Sequence, residues 1–315
     1  MLLKFENDKI KIYSDNQNIF NGIIEFAKLI SNFSLPKLSV FLFNNNNKNF
    51  FKINKLDNQR KKTYLSKTEI LYHITKTKFV FNFYNKNFIV YLDVKKNIIF
   101  GIIKKPQKYA AHFFDNFILQ PIFYLWLIKQ KKYFFHSALI SFEDKGILII
   151  GNSGSGKSTL TFLLLNLLNE KAKYFTDDKT ILYKKKNEIV GKGIPTLLKI
   201  KNPEIEGINE YIKNFKIAFK IKDMNYLMIK TEEEEVKIKY LFLPKITNKK
   251  TRIKKLKQLD LYYKILSLTH PIIWLFGEKK YENFVKLFLE NVTAYKIYLG
   301  KQMLNTLKKF IKHLK

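Results

Sequence analysis

The chain has 315 residues, 46% of them hydrophobic and 16% aromatic, so it is long enough for two domains with packed cores. It contains no cysteine, which excludes a disulfide framework, a thiolate zinc site and a cysteine nucleophile. The formal net charge of +32 would favour nucleic acid or an anionic surface, but arginine, the residue best suited to phosphate and guanine, occurs only at Arg60 and Arg252. Because the lysines are spread along the whole chain, we interpret the charge as mainly compositional and do not expect a nucleic-acid partner.

The apolar stretches of the chain are short. The first eight residues lack both an apolar core and a small-residue cleavage site. Phe117–Ile128, Thr161–Leu168 and Pro271–Phe276 are all shorter than the roughly 18 residues that a spanning helix needs. The sequence therefore predicts no membrane span and a cytoplasmic location.

Residues 1–105 are predicted to form a β-rich domain of short strands separated by turn residues. Its predicted strands are Lys37–Phe43, Phe50–Ile53, Phe79–Tyr84, Phe88–Val94 and Ile98–Ile103. Asn18–Ile30 carries apolar residues at helical spacing and is predicted as a helix. We find no group of residues there that requires chemistry, so the role of this domain is left open.

The second predicted domain, residues 106–315, begins with an apolar helical segment, residues 109–129, that Pro121 interrupts. Phe134–Phe142 and Gly146–Ile150 follow as two strands joined by a short turn. Two successive strands that can pair antiparallel differ from the strand–helix alternation of a Rossmann-type domain. We therefore predict an α/β domain with a mixed sheet.

The stretch Gly151–Thr159 fits the complete G-x-x-x-x-G-K-[ST] pattern between an apolar strand and the apolar helix Leu160–Leu168. In such a loop the glycines let the backbone close around a phosphate, Lys157 reaches the β- and γ-oxygens, and Ser158 offers a hydroxyl to Mg²⁺. The predicted ligands are thus ATP and Mg²⁺. The predicted phosphate-binding residues are Gly151, Asn152, Ser153, Gly154, Ser155, Gly156, Lys157, Ser158 and Thr159. The alternative is a glycine-rich turn with a chance Lys-Ser pair.

Lys173–Asp178 is predicted as a strand that ends in two carboxylates, Asp177 and Asp178. An aspartate in this position can hold Mg²⁺ together with Ser158, and its neighbour can serve as the base for an acceptor hydroxyl. We predict a metal site of Ser158, Asp177 and Asp178, and a catalytic set that includes both aspartates and Lys157. Which aspartate is the base is left open, and a solvated turn before a hairpin is the alternative.

The remaining elements are predicted from apolar runs, turn residues and helical periodicity. In chain order they are strands Thr180–Tyr183 and Ile189–Val190, a loop Gly191–Lys199, an acidic loop Glu232–Glu235, a strand Val236–Leu243 ended by Pro244, a lysine-rich connection at 245–257, helices Leu259–Leu268 and Glu278–Asn291, a strand Ala294–Leu299 and an amphipathic helix Lys301–Leu314.

Several of these segments together resemble the catalytic domain of the HPr kinase/phosphorylase family, in the phosphoenolpyruvate carboxykinase-like P-loop superfamily. The likeness covers residues 133–200 well. It rests on His136–Ile140, Gly146–Ile150, the glycine-rich loop, Thr176–Tyr183 and Gly193–Lys199. The resemblance implies a P-loop nucleotide-binding domain with a mixed sheet, here preceded by a smaller β-rich α+β domain.

The same resemblance implies Mg²⁺-assisted transfer of the γ-phosphoryl group of ATP to a hydroxyl, usually a serine of a protein or peptide, with an aspartate base. His136 matches a family histidine close to the transferred phosphate and joins the catalytic candidates. Asn152 and Thr159 depart from the aspartate and glutamate that are usual in the family, and an Arg-Gly-Leu-Gly type sequence is missing after Lys199. The sequence is thus more similar to divergent HPr-kinase-related proteins, for which a peptide, a protein or a small hydroxyl compound can be the acceptor.

Two other functions stay open from the sequence. One is a catalytically weak ATP-binding module that controls the docking of a partner, and the other is a nucleic-acid-stimulated ATPase. With only two arginines, the charge of a transferred phosphoryl group would be neutralised by Mg²⁺, Lys157, backbone N–H groups and Lys179 or Lys199. A homo-oligomer is also left open.

Overall fold

The structure is a computed structural model that describes residues 3–6, 10–14, 17, 20–21, 38–44, 61–65, 68–74, 78–83, 88–93, 95–96, 98–103, 120–201, 211–213, 215–268 and 271–314. The chain divides into two compact units. The first unit comprises residues 1–129 and 271–276, and the second comprises residues 130–270 and 277–315. Within the described ranges, no helix is both long and apolar enough to span a bilayer.

The first unit contains an eight-stranded sheet. Its strands are β1 (Leu3–Glu6), β2 (Ile10–Ser14), β3 (Leu38–Asn44), β4 (Lys61–Leu65), β5 (Thr68–Ile74), β6 (Lys78–Phe83), β7 (Phe88–Asp93) and β8 (Ile98–Ile103), in the order β1-β2-β3-β8-β7-β6-β5-β4. Strand β3 lies parallel to β2 and β8, and the other pairs are antiparallel. The predicted strands at 37–43, 79–84, 88–94 and 98–103 are confirmed within one residue at either end.

The described residues cover the helical predictions for this unit only in part, and residues 109–119 of the predicted segment 109–129 lie outside them. The predicted strand Phe50–Ile53 and nearly all of the predicted helix Asn18–Ile30 lie outside the described residues. Helix α1 (Gln120–Lys129) begins directly before Pro121. A proline in a first helical turn removes an N–H that has no partner inside the helix, so the helix can begin there without loss.

The second unit is built around a large mixed sheet. Its strands are β9 (Lys132–Phe135), β10 (Ser137–Phe142), β11 (Lys145–Ile150), β12 (Ala172–Thr176), β13 (Thr180–Lys185), β14 (Glu188–Gly193), β18 (Val236–Lys250), β19 (Arg252–Lys255) and β20 (Thr293–Lys301). The order along the sheet is β12-β10-β11-β18-β14-β13-β9, and β20 pairs with both β18 and β19. Strand β18 runs parallel to β11 and β20, whereas the other pairs are antiparallel, so the predicted mixed sheet is confirmed.

Four helices accompany this sheet in the described residues: α2 (Lys157–Leu168), α3 (Gln258–Ser267), α4 (Pro271–Glu290) and α5 (Met303–Lys312). Helix α2 is buried along most of its length and packs with β10, β11 and α5 in one hydrophobic core. On α5, Leu307 and Ile311 face this core, as the amphipathic pattern predicts. Helix α4 begins earlier than the predicted Glu278.

Strand β18 corrects the predicted stop at Pro244. The strand continues through Pro244 to Lys250, and Pro244 pairs with Ile297 of β20. Pairing with β11 ends at Phe242, so on that side no ladder bond requires a donor at position 244. The predicted lysine-rich connection at 245–257 is wrong for the same reason, since it is the end of β18 followed by β19.

A second, three-stranded sheet was not predicted. It consists of β15 (Leu198–Lys201), β16 (Lys216–Ile221) and β17 (Met224–Met228) in the order β15-β17-β16. Leu198, Ile200 and Leu227 on one face are buried in the same core as α2. The sheet therefore lies against the helix that follows the glycine-rich loop.

Candidate functional site

The glycine-rich loop spans residues 151–156 between the end of β11 and the first residue of α2. Gly154 and Gly156 have φ angles of 76° and 99°, which side chains other than glycine adopt at a cost. At Gly151, a Cβ atom would lie 2.4 Å from Oγ of Ser155. The backbone N–H of Ser155 donates to the carbonyl of Asn152, which closes the loop on itself.

Lys157 reaches back over this loop. Its ammonium group donates to the carbonyl oxygen of Gly151 at 2.9 Å and to that of Asn152 at 3.5 Å. The side chain is buried, and burial lowers the pKa of the ammonium group although Asp178 and Asp177 oppose the shift. A partly desolvated cation is thus held at the loop by backbone carbonyls alone.

Ser158, the next residue of α2, connects the loop to Asp177. Its hydroxyl donates to Oδ2 of Asp177 at 2.8 Å, and the N–H of Lys199 approaches the same oxygen at 3.4 Å. Asp177 is 1% exposed, and its other oxygen, Oδ1, is buried with no hydrogen-bond partner in the described residues. Burial, with the charge of Asp178, raises the pKa of Asp177 to about 7.

Asp178 has a different environment one residue further on. Its Oδ2 forms an ion pair with Nζ of Lys199 at 3.1 Å, and its Oδ1 lies 3.9 Å from Nε2 of His136. Partial burial would raise the pKa of Asp178, but Lys199 and then His136 and Lys157 outweigh it and lower the pKa below its usual value. Two adjacent carboxyl groups are therefore shifted in opposite directions by their surroundings.

A set of partly buried hydrogen bonds fixes the turn that carries both aspartates. The backbone N–H of Asp177 donates to Oγ1 of Thr196 at 3.0 Å, and the hydroxyls of Thr176 and Thr196 are 3.0 Å apart. The N–H of Ser137 donates to the carbonyl of Asp178 at 3.2 Å. The turn is thus held by β10 on one side and by residue 196 on the other.

The sequence predictions did not assign a role to Thr196. It lies in the Gly193–Lys199 segment, whose resemblance to the HPr kinases is the only signal that could have indicated it. Tyr174 also contributes, because its hydroxyl donates to the carbonyl of Thr196 at 2.8 Å.

The structure corrects the predicted strand that contains His136. The predicted continuous strand Phe134–Phe142 is two strands, β9 and β10, and His136 is the residue between them. Strand β9 pairs with β13 while β10 pairs with β11 and β12, so the chain changes neighbours at this residue. The imidazole is exposed and near Asp178, and partial desolvation together with Lys157 lowers its pKa.

The other loop residues differ in exposure. Asn152 and Ser153 are exposed at the tip of the loop, whereas Ser155 has a buried hydroxyl oxygen without a hydrogen-bond partner in the described residues. Thr159 is partly buried in the first turn of α2. The predicted binding residues therefore form the loop and the first turn of α2. At a helix N-terminus, free backbone N–H groups can donate hydrogen bonds to an anion.

A cavity of about 740 Å³ lies beside the loop, and residues 151–155 form one of its walls. Its apolar residues come from β11, β18, α3 and the connection between β19 and α3: Ile150, Leu243, Pro244, Ile246, Leu256 and Leu261. Four lysines, Asp260 and Tyr298 complete the lining. Arg252, which was predicted to lie in a basic loop, is in β19 and places its guanidinium 4.2 Å from the ring centroid of Tyr298.

The comparisons with known proteins agree with the predicted resemblance. No protein-family model matches the chain. The HPr kinase/phosphorylase of Mycoplasma mycoides subsp. mycoides SC is 40% identical over 73 residues, which are 23% of this chain and 22% of that protein. The chain is therefore similar to HPr kinase/phosphorylase over a segment that spans about a fifth of the curated relative.

A solved structure of the Hpr(Ser) kinase/phosphatase from Coxiella burnetii aligns with 57% of this chain and 95% of its own. The identity is 12% and the TM-score is 0.26, so we draw nothing further from that alignment. The sequence likeness to HPr kinase/phosphorylase is thus confined to 23% of this chain.

Proposed function

We propose that this protein is an ATP-dependent kinase that transfers the γ-phosphoryl group to a hydroxyl, in a P-loop domain of the HPr kinase type that follows a β-rich domain of residues 1–105. The observation that carries the proposal is the contact between Ser158 of the loop helix and Asp177, with Asp178 and Lys199 directly beside it. Phosphoryl transfer depends mainly on positioning and charge neutralisation. This cluster supplies both at the end of an anion-binding loop.

ATP suits the loop and the neighbouring cavity. The glycines and the N-terminus of α2 present backbone N–H groups to the phosphates, and Lys157 adds a cation. The cavity along residues 151–155 has apolar walls for a base and lysines for the polar part of a nucleotide. The nucleoside would thus occupy this cavity, and the γ-phosphate the side of Ser158.

The oxygen donors at Asp177 suit Mg²⁺. The orphaned Oδ1 of Asp177 is a buried acceptor that lacks a partner in the described residues, and buried acceptors without partners are costly. Mg²⁺ prefers carboxylate and hydroxyl oxygens, which Asp177 and Ser158 offer together with Asp178. When bound, the ion supplies positive charge to the phosphate oxygens. In the described residues no three acidic or histidine side chains are placed to hold a metal ion together, so most of its ligands would be phosphate oxygens and water.

Asp178 is the better placed base. It is more exposed than Asp177, and its lowered pKa keeps it ionised at neutral pH. In the proposed step the acceptor hydroxyl gives its proton to Asp178 while its oxygen bonds to the γ-phosphorus, and the bond from that phosphorus to the bridging oxygen of ADP breaks. His136 and Lys199 orient the carboxylate, and Lys199 with Lys157 balances the charge.

The test is transfer of γ-labelled phosphate from ATP, with Mg²⁺, to fractions of a source-cell lysate and to synthetic serine peptides. Lys157→Ala, Asp177→Asn and Asp178→Asn are compared with wild type. Asp144→Asn is the matched control, because Asp144 is an exposed turn aspartate. We expect label in a discrete acceptor with wild type and the control, and a loss of at least about 100-fold in the three variants.

ATP affinity, measured separately by calorimetry, separates binding from transfer. Asp178→Asn should still bind ATP. If wild type binds ATP but no label moves, the protein is an ATP-binding module and the kinase proposal is wrong. If label moves equally well in Asp178→Asn, Asp178 is not the base.

A further inference from the structure

The three-stranded sheet has two faces of opposite character. Leu198, Ile200 and Leu227 are buried on the inner face. Because side chains alternate along a strand, Lys199, Lys201, Tyr226 and Met224 lie on the other side, which we call the outer face. On β16 the register shifts between Ile217 and Phe219, so that Phe219 and Ile221 also join the outer face.

The outer face is organised in two rows that cross the strands. Lys199 pairs with Tyr226, and Tyr226 pairs with Phe219. Lys201 pairs with Met224, and Met224 pairs with Ile221. Each row therefore begins with a lysine on β15 and ends with a large apolar residue on β16.

The apolar end of each row is open to solvent. Phe219 is 46% exposed and Ile221 is 53% exposed. The ring of Phe219 stacks on that of Tyr226 with centroids 4.4 Å apart. Single exposed apolar residues are ordinary, but a stacked pair beside two further apolar side chains on one sheet face is typical of a binding surface.

The lysine end of the first row is part of the candidate active site. Nζ of Lys199 contacts Asp178, and the N–H of Lys199 approaches Asp177. The first row thus leads without a break from the proposed base, over Lys199 and Tyr226, to Phe219. Strands are about 4.8 Å apart, so Phe219 lies two strands, or about 10 Å, from Lys199.

The charge around the face decides which partner suits it. Lys216 lies on this face opposite Met228, Lys222 lies in the turn after β16, and the one acidic residue of 216–228, Asp223, already pairs with Lys201 at 3.2 Å. Two copies of this face would bring like charges together, and the whole chain carries a formal charge of +32. An acidic partner is attracted by the same lysines.

We propose that the outer face docks the acceptor of the proposed kinase, as an extended segment that carries acidic residues and an apolar anchor. This rests on the proposed function. An extended chain advances about 3.3 Å per residue, so an anchor on Phe219 lies about three residues from the position of Lys199, which contacts Asp178. The face therefore selects an aromatic or large aliphatic side chain about three positions from the phosphorylated serine, within an acidic sequence.

The test uses fluorescein-labelled peptides of twelve residues with one central serine. One is rich in Asp and Glu and carries Phe three positions from the serine, a second replaces that Phe with Ser, and a third replaces the acids with Lys. Affinity is measured by anisotropy for wild type, Phe219→Ser, Ile221→Ser and the double variant. Tyr263→Ser is the control, because Tyr263 is a large exposed aromatic residue on α3.

We expect the acidic Phe peptide to bind wild type and Tyr263→Ser equally, and the double variant about tenfold or more weakly, which is the ordinary effect of losing a buried apolar anchor. The peptides without Phe or without acids should bind wild type weakly. Single variants keep the test valid if the double variant does not fold, as judged by circular dichroism. Equal binding of the acidic Phe peptide to all variants, or no preference for it over the other two peptides, overturns the proposal.

Two further readouts separate this inference from the proposed function. If wild type neither binds ATP nor transfers label while the peptide result holds, the kinase proposal fails and the docking surface stands. If label moves to an acceptor at the same kcat/KM in the double variant, the kinase stands and the docking proposal is wrong. Loss of self-association in the double variant, seen by sedimentation, would assign the face to a second copy of the chain and also overturn the proposal.

Discussion

The glycine-rich loop and the Asp177–Asp178 turn are neighbours in space but owe their shapes to different kinds of interaction. The loop is shaped locally: positive φ angles at two glycines, and bonds from Lys157 and Ser155 to carbonyls a few residues earlier. The turn is shaped from a distance, by Thr196 and by Ser137 of β10. The loop is therefore sensitive to its own residues, whereas the turn is sensitive to residues far along the chain.

Their electrostatics differ as well. The loop presents a cation and backbone groups. The turn holds two carboxyl groups, of which Asp177 is buried with an unsatisfied oxygen and Asp178 is paired with Lys199. The buried carboxyl of Asp177 would thus be stabilised by a bound cation, whereas the buried ammonium group of Lys157 would be stabilised by a bound anion.

The largest expected effect is the pH dependence of the free energy of unfolding that the buried carboxyl of Asp177 causes. Its pKa is about 7 in the folded chain, against 3.8 for an ordinary aspartate. Between these pH values the folded state holds a proton that the unfolded state has lost. The contribution of Asp177 to stability is therefore fully present below about pH 4 and is lost as the pH rises through 7, by about 4 kcal/mol in total.

Urea unfolding in chelator-treated buffer from pH 4 to pH 8 measures this effect. The difference in unfolding free energy between wild type and Asp177→Asn should change with pH in the stated direction, with the variant the more stable at pH 8. Asp144→Asn, an exposed turn variant, should follow wild type. Parallel curves for Asp177→Asn and wild type would show that the carboxyl is not desolvated. Added Mg²⁺ at pH 8 should stabilise wild type and leave Asp177→Asn nearly unchanged.

The second prediction tests the local shape of the loop with two matched substitutions. Gly156→Ala places a Cβ at a φ of 99° and 3.1 Å from side-chain atoms of Ile246 and Leu299, and should destabilise the fold by about 2–3 kcal/mol. Gly154→Ala has a φ of 76° and open space around the added atom, and should cost about 1 kcal/mol. Thermal unfolding of both variants checks the order. Equal losses would mean that the contacts at residue 156 do not matter.

The same contrast explains what the sequence could predict. Strand β11, the loop and α2 follow one another in the chain, so an apolar run, three glycines and an apolar helix sufficed to predict them. The position of Asp177 and Asp178 at a strand end was also predictable, but the opposite shifts of their pKa values depend on Lys199 and His136, which only the fold brings there.

Features that depend on which strands become neighbours in the fold were not predicted. A proline normally ends a strand, and only the loss of β11 as a neighbour after Phe242 lets β18 continue through Pro244. The break at His136 follows from a change of neighbouring strands, which no local pattern records. The three-stranded sheet was not predicted, because β15 pairs with β17, which begins more than 20 residues later in the chain.

The third prediction tests the distant support of the turn. Thr196→Val removes the hydroxyl that accepts from the N–H of Asp177 and contacts the hydroxyl of Thr176. We expect a loss of about 1–2 kcal/mol in unfolding free energy, because buried donors lose their partner. Phosphoryl transfer should slow while ATP affinity, which depends on the loop, stays within about twofold. Thr196→Ser keeps the hydroxyl and should behave as wild type, and an equal loss in both variants would point to packing of the Thr196 methyl group.

Lys199→Met is expected to have the smallest effect on the free energy of unfolding, but it should change the pKa of Asp178. The ion pair with Asp178 is partly exposed, so its removal should cost less than about 1 kcal/mol of unfolding free energy. Without the ammonium group, however, burial acts on Asp178 with less opposition, and the pKa of Asp178 rises.

A base with a higher pKa is protonated, and inactive, at a higher pH. The acid limb of the rate profile should therefore move toward neutral pH in Lys199→Met and return in Lys199→Arg, which restores the cation. An acid limb that stays in place in Lys199→Met would mean that Asp178 does not limit the rate, and would assign the proton transfer to another group of the site.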